Sequence, residues 1–183
     1  MYNRGIIMNE DERILIYNWV HSIYNNMRVI TNGRRDYIIL PEDNTIPSII
    51  FDIRDRIIKR EQLEGYEKET KLNDFIGFIP IGGFIHKHKD MNDMERNLYH
   101  VRFNVYISIP KKGCTTYYDD NIVSTIEGCY VLSRSGIDLH WTDVNQDIIP
   151  RISLSFGFLL PADKVNDLCK IIRIGKYRTN YPL

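Results

Sequence analysis

The sequence carries no excess of charge: 24 Lys and Arg stand against 24 Asp and Glu in 183 residues, with a pI near 7.0. A function that needs a strong overall field, such as wrapping duplex nucleic acid or coating an anionic membrane, is disfavoured. No basic stripe interleaved with aromatics offers a single strand a path, so a nucleic-acid partner is not expected. Cysteine is scarce. Cys114, Cys129 and Cys169 are odd in number and widely spaced, with no C-x-x-C pair, which argues against a disulfide framework and for a reducing interior. Long hydrophobic runs are missing as well. The opening residues MYNRGIIMNE hold a three-residue apolar run before acidic residues begin, the pattern of neither a signal peptide nor a membrane span. The expectation is a soluble, cytoplasmic protein. Alanine occurs once, at Ala162, beside 29 Ile and 15 Asn; this is the bias of an AT-rich coding sequence and carries no chemistry. No repeat, low-complexity tract or Pro/Gly/Ser-rich linker divides the chain, so a single domain over 1–183 is expected. With 43% hydrophobic residues it can bury a sizeable core, about 70% of the surface its unfolded chain exposes.

The period of the apolar pattern changes along the chain. Ile14, Leu15, Trp19, Val20, Ile23 and Met27 recur at helical spacing behind the acidic turn Glu10–Glu12, which predicts a first helix over 10–27. Thr45 as N-cap and Pro47 just inside predict a second, through Ile49, Ile50, Ile53, Ile57 and Ile58 to the neighbourhood of Gly65. From Asp74 the period becomes two and turn residues arrive about every ten positions. Predicted strands are Phe75–Ile79, Gly83–His88, Arg102–Ile109, Tyr117–Tyr118, Ile122–Ile126, Cys129–Ser133 and Ile152–Leu160, with a closing helix between Pro161 and Arg173. The class is α+β and mainly β: residues 1–73 a mostly helical scaffold, 74–161 a sandwich or small barrel, 162–183 a closing segment.

Chemistry concentrates in the second half. In the last long strand Ile152, Leu154, Phe156 and Phe158 take one face, while Arg151, Ser153, Ser155 and Gly157 take the other. Phe103, Val105 and Ile107 alternate in the same way against Arg102, Asn104 and Tyr106. Those polar faces are either solvated or line a cavity, and periodicity does not choose. His86, His88 and Asp90 fall at alternate positions and would share one face of a continuous strand. His140 follows 52 residues after His88, and Arg151 a further 11 on. Two imidazoles and one carboxylate on one face of an octahedral ion suit Fe(II) with positions left open.

His88-Lys89-Asp90, His140 and Arg151-Ile152-Ser153 resemble the H-x-D…H…R-x-S pattern of the Fe(II)/2-oxoglutarate-dependent oxygenases. The run from Gly82 through Asp90, Arg102-Phe103-Asn104 and Pro150 to Phe158 is similar to the aspartyl/asparaginyl β-hydroxylase-like branch, over roughly residues 74–161. The resemblance implies a double-stranded β-helix, cupin-like, with the N-terminal helices as support. It implies Fe(II) held by His88, Asp90 and His140, and 2-oxoglutarate bound by Arg151 and Ser153, with Arg102 and Asn104 as further contacts. It also implies O2 as oxidant, succinate and CO2 as co-products, and ascorbate as a useful assay component. An amino-acid side chain, free or in a peptide, is the implied target. His86, Tyr117 and Trp141 are expected near the iron or the substrate.

Other readings of the same residues stay open. His86, His88, Glu95 and His140 could form the three-His, one-Glu site of another cupin enzyme, leaving Asp90 spare and Arg151 unexplained. A non-catalytic β-sandwich module would make the spacing of His140 and Arg151 a coincidence. Met91–Tyr99 breaks the strand pattern and is expected to cover the site mouth with Asn92, Asp93 and Arg96.

Overall fold

Two helices do form where apolar spacing demands them, but strands weave between them. The computed structural model describes residues 3–27, 29–31 and 35–170. Its elements run β1 (Asn3–Ile6), α1 (Glu10–Met27), β2 (Val29–Thr31), β3 (Arg35–Ile39), α2 (Ser48–Glu61), β4 (Glu67–Lys68), β5 (Phe75–Ile79), β6 (Leu98–Ser108), β7 (Thr116–Tyr118), β8 (Asn121–Val123), β9 (Cys129–Ser133), β10 (His140–Thr142), β11 (Arg151–Pro161) and α3 (Ala162–Lys170). α3 lies within the predicted closing segment; the continuation to Arg173, like the side chain of Met27, lies outside the described residues.

Asn9 and Glu12 open α1 with a reciprocal capping box, each side chain accepting the other's backbone N–H at 2.9 Å. Ile16 and Val20 are its fully buried residues, flanked by Trp19 and Ile23, while Ile14 and Leu15 turn to solvent. Thr45 does not cap α2. Its N–H and hydroxyl both go to Asp43, and the helix begins after Pro47. α2 ends at Gln62, in the left-handed region with φ 55°, ahead of the expected Gly65.

Among the described residues all strand pairs are antiparallel. The larger sheet has the order β1-β9-β6-β11-β5-β3-β2, with β4 also on β11; the smaller is β10-β7-β8. The alternation read from the sequence decides the layers. Ile152, Leu154, Phe156 and Phe158 of β11 join Phe103, Val105 and Ile107 of β6 beneath the helices, where Ile50, Ile53 and Ile57 of α2 are fully buried. The opposite face of the larger sheet carries Arg151, Ser153, Ser155, Arg102 and Asn104 toward the smaller sheet, and a cavity lies between them.

Gly83–His88 is not a strand. Gly83 closes a turn on Pro80, and Thr142 meets the Ile85 N–H with its hydroxyl at 2.9 Å in place of a backbone carbonyl. The segment therefore runs beside β10 without a regular ladder, and only His88 forms a bridge, to His140.

Candidate metal centre

The His88–His140 bridge brings together residues 52 positions apart. Each backbone N–H donates to the other's carbonyl, at 3.1 and 2.9 Å. Asp90 is fixed two residues on, its N–H donating to Ser135 at 2.8 Å. The turn carrying Ser135 and Gly136 is packed tightly: a Cβ at Gly136 would lie 1.7 Å from the Asn92 side-chain oxygen, so only glycine fits. Asn92 spans the gap, donating to the Gly136 carbonyl and accepting the His100 N–H. The loop expected over the site mouth is thus tied into the site's support.

His88 Nδ1 lies 2.6 Å from the His86 carbonyl and His140 Nδ1 3.3 Å from that of Asp138. A carbonyl can only accept, so both Nδ1 atoms carry a proton, and each Nε2 presents a lone pair once its ring is neutral. Those Nε2 atoms lie 3.5 and 3.9 Å from Asp90 Oδ1, and the three ligand atoms all fall within 4.8 Å of one another. Ligands about 2.1 Å from one ion at right angles stand roughly 3 Å apart, so an ion would draw the two imidazoles toward Asp90 by less than about 1 Å. Two neutral imidazoles with one carboxylate fit a divalent ion of the non-haem iron type. Burial alone would raise the Asp90 pKa, yet the His88 hydrogen bond and the nearby His140, His100 and Arg102 charges outweigh it, holding the carboxyl well below the usual range. The same bond raises His88 against its burial, whereas burial lowers His140 despite Asp90.

Asp90 Oδ2 faces a second layer. His100 Nδ1 lies 3.5 Å away and Arg102 Nε 4.0 Å away. Both residues are buried, as is Glu69, which takes Arg102 Nη2 at 2.8 Å. Arg102 also donates to the Asn73 carbonyl and to Ser155. It crosses Gly157, where a Cβ would sit 3.1 Å from its guanidinium carbon. Its Nη donors are thus taken by the wall of the site, while Nε, 4.0 Å from Asp90 Oδ2, makes no hydrogen bond and sets a positive charge beside that carboxylate.

Arg151 is different. It is 5% exposed, and its Nη2 donates to Tyr106 Oη at 3.1 Å, but Nε and Nη1 make no hydrogen bond. No acidic partner lies within ion-pair distance among the described residues. An irregularity in the β6–β11 register, which pairs Ile152 with Ser108 and then Ser153 with Tyr106, sets Tyr106 beside this arginine. A buried, permanently charged group without an anion is costly, and an incoming anion would relieve it.

The cavity, about 230 Å³, is lined by His88, Asp90, His140, Arg102, Asn104, Arg151, Ser153, Ser155 and Trp141, among others. It falls below the usual range of drug-sized pockets, so it has room for a small acid and one substituent of a larger substrate. Tyr117 lies behind this wall, its ring stacked on Trp141 at 5.0 Å, and Lys87 Nζ lies 4.2 Å from the Trp141 ring. Tyr118, rather than Tyr117, faces inward. His86 is exposed and packs edge-on against Phe84; Glu95 is exposed too, and neither lines the cavity, so the three-His, one-Glu set is not assembled. Sequence reading missed Arg35 and Tyr37 of β3, together with Glu69 and His100. The run RDYIIL before Pro41 carries a short-strand signal that could have found the first two.

Neither family models nor curated proteins match the sequence. Solved structures do match. A prolyl-4-hydroxylase from Pseudomonas putida aligns with TM-score 0.59 at 16% identity, over 87% of this chain and 91% of that one. The viral collagen prolyl hydroxylase of Paramecium bursaria Chlorella virus-1, in its 2-oxoglutarate complex, gives 0.60 at 12%, over 85% and 94%. HygX from Streptomyces hygroscopicus, with nickel, 2-oxoglutarate and hygromycin B bound, gives 0.63 at 12%, over 87% and 82%. The chain therefore shares its fold with prolyl hydroxylases and with the 2-oxoglutarate-binding HygX.

Proposed function

We propose that this protein is an Fe(II)- and 2-oxoglutarate-dependent dioxygenase that hydroxylates a C–H bond, with succinate and CO2 as co-products. The observation that carries the reading is Arg151: a buried guanidinium without an acidic partner, in the same cavity as the His88, Asp90 and His140 ligand atoms. The fold shared with 2-oxoglutarate-bound structures supports it. In this reading the two antiparallel sheets around the cavity form the double-stranded β-helix expected from the sequence, with 74–161 as the catalytic core of one domain.

His88, Asp90 and His140 would hold the iron, and Arg102 with His100 would fix the Asp90 carboxylate so that Oδ1 faces it. When bound, iron chelated by the keto-acid end of 2-oxoglutarate supplies O2 activation. Arg151 would bind the distal carboxylate by charge-assisted hydrogen bonds, with Tyr106 limiting its rotation and Ser153 adding a hydroxyl from the same strand face. Trp141, braced by Tyr117, walls the cavity and helps exclude water. The aspartyl/asparaginyl branch supplies the finer target, an amino-acid side chain, free or in a peptide. The three free thiols suit a reducing, cytoplasmic setting. Among the described residues no helix is long and apolar enough to cross a membrane.

Succinate release from 2-oxoglutarate with Fe(II) and ascorbate tests the reading. Wild type is expected to turn over even without its primary substrate, and His140→Ala and Arg151→Ala to lose that turnover. Wild-type protein that binds neither Fe(II) nor Mn(II) would sink it.

A further inference from the structure

Three arginines line the cavity, and two have a role: Arg102 is held by Glu69, and Arg151 awaits the cosubstrate. The third, Arg35, has none. In the β3–β5 ladder Asp36 pairs with Phe78 and Tyr37 with Gly77, so the next position sets Arg35 beside Ile79, which pairs with Arg151 of β11. Arg35, Ile79 and Arg151 thus form one row across three strands on the cavity face. The two arginine backbones lie two strand spacings apart, roughly 10 Å. Arg35 is partly buried, its guanidinium 6.0 Å from the Tyr37 ring centre, and its side chain makes no hydrogen bond or ion pair with any described residue.

The charges of the filled site show what is missing. A divalent ion with Asp90, Arg151 and a dianionic cosubstrate is neutral together, and Arg102 with Glu69 is neutral. Arg35 alone would remain as an uncompensated cation on the cavity wall. Desolvation lowers its pKa, Arg151 adds to that effect and Asp90 opposes it, so it shares their field without being neutralised. A neutral substrate would leave this cost in place, whereas an acid group would remove it and meet the planar fork bidentately.

Resting on the oxygenase reading above, we infer that Arg35 is a specificity-determining residue: the substrate carries an acid group, carboxylate or phosphate, that Arg35 binds beside the metal centre. The protein loaded with Mn(II) and saturating 2-oxoglutarate provides the test. Inorganic phosphate and 13C-labelled acetate are the probes, and the metal-induced relaxation of their 31P and 13C signals is the readout. Wild type should relax at least one of the two. Arg35→Gln should weaken that binding about tenfold or more, with Arg35→Lys recovering part of it, while cosubstrate affinity measured by calorimetry stays within twofold. Relaxation by acetate alone identifies a carboxylate substrate, and by phosphate alone a phosphorylated one. No relaxation in wild type, or equal relaxation in Arg35→Gln, overturns the inference but leaves the oxygenase reading standing. So does a loss of 2-oxoglutarate affinity in Arg35→Gln, which would give Arg35 to the cosubstrate. Failure of wild type to bind Mn(II), read by electron paramagnetic resonance, removes both.

Discussion

Replacing Arg151 by Met removes a charge that the fold buries without an acidic partner, and in the absence of metal and cosubstrate the variant should be the more stable protein. The residue is 5% exposed, with Nε and Nη1 unbonded. Exchanging buried ions for apolar side chains of similar volume is neutral or stabilising by about 1–4 kcal/mol. Against that stands the lost hydrogen bond from Nη2 to Tyr106, about 1 kcal/mol. The net expectation is a gain on the order of 1–3 kcal/mol. At this chain length each kcal/mol moves Tm by about 2–4 °C, so thermal unfolding should shift upward by several degrees. Cosubstrate should reverse the order. With Mn(II) present, 2-oxoglutarate at about 100 times its wild-type Kd should stabilise wild type by about 2.7 kcal/mol and the variant by clearly less. An Arg151→Met protein that melts below wild type without ligand, or gains as much as wild type from 2-oxoglutarate, would refute the reasoning.

Three other outcomes follow from the groups around Asp90. Arg102→Met should cost about 3–5 kcal/mol in urea unfolding, because Glu69 is left buried without its cation; Arg102→Met with Glu69→Met should recover most of that loss. His100 is held neutral by burial, its pKa pushed down to about 4, so the unfolded chain binds the extra proton first. Stability should therefore fall as pH drops from about 6.5 toward 4, and His100→Gln should flatten that limb. His88 is shifted the other way by Asp90, so its share of metal-free stability is full below about pH 6.5 and fades as pH rises through its raised value. Metal must displace that proton, so Mn(II) affinity should climb above pH 6.5 and level off only once His88 is neutral.

The candidate metal set was legible because it is carried by residue type: His88, Asp90 and His140, and Arg151 beyond them, can be picked out without knowing their partners. The long strands were legible too, since Ile152 to Phe158 and Phe103 to Ile107 alternate over enough positions to declare a face. What stayed hidden depends on pairing. The Gly83–His88 run has strand composition, and only the Thr142 hydroxyl meeting Ile85 reveals why no ladder forms. That break changes the site, because His86 turns to solvent while His88 and Asp90 converge. Glu69 and Arg102 lie 33 residues apart, and no local pattern announces that one will hold the other. Arg35 sits on a five-residue strand whose role follows from the cross-sheet row it shares with Ile79 and Arg151.

Anaerobic addition of Fe(II) and then 2-oxoglutarate to the purified protein tests the central claim most directly. A visible metal-to-ligand charge-transfer band should appear only with both present, be absent in His140→Ala, and require more 2-oxoglutarate in Arg151→Met. No band in wild type with Fe(II) demonstrably bound, or a band untouched in both variants, would contradict the account.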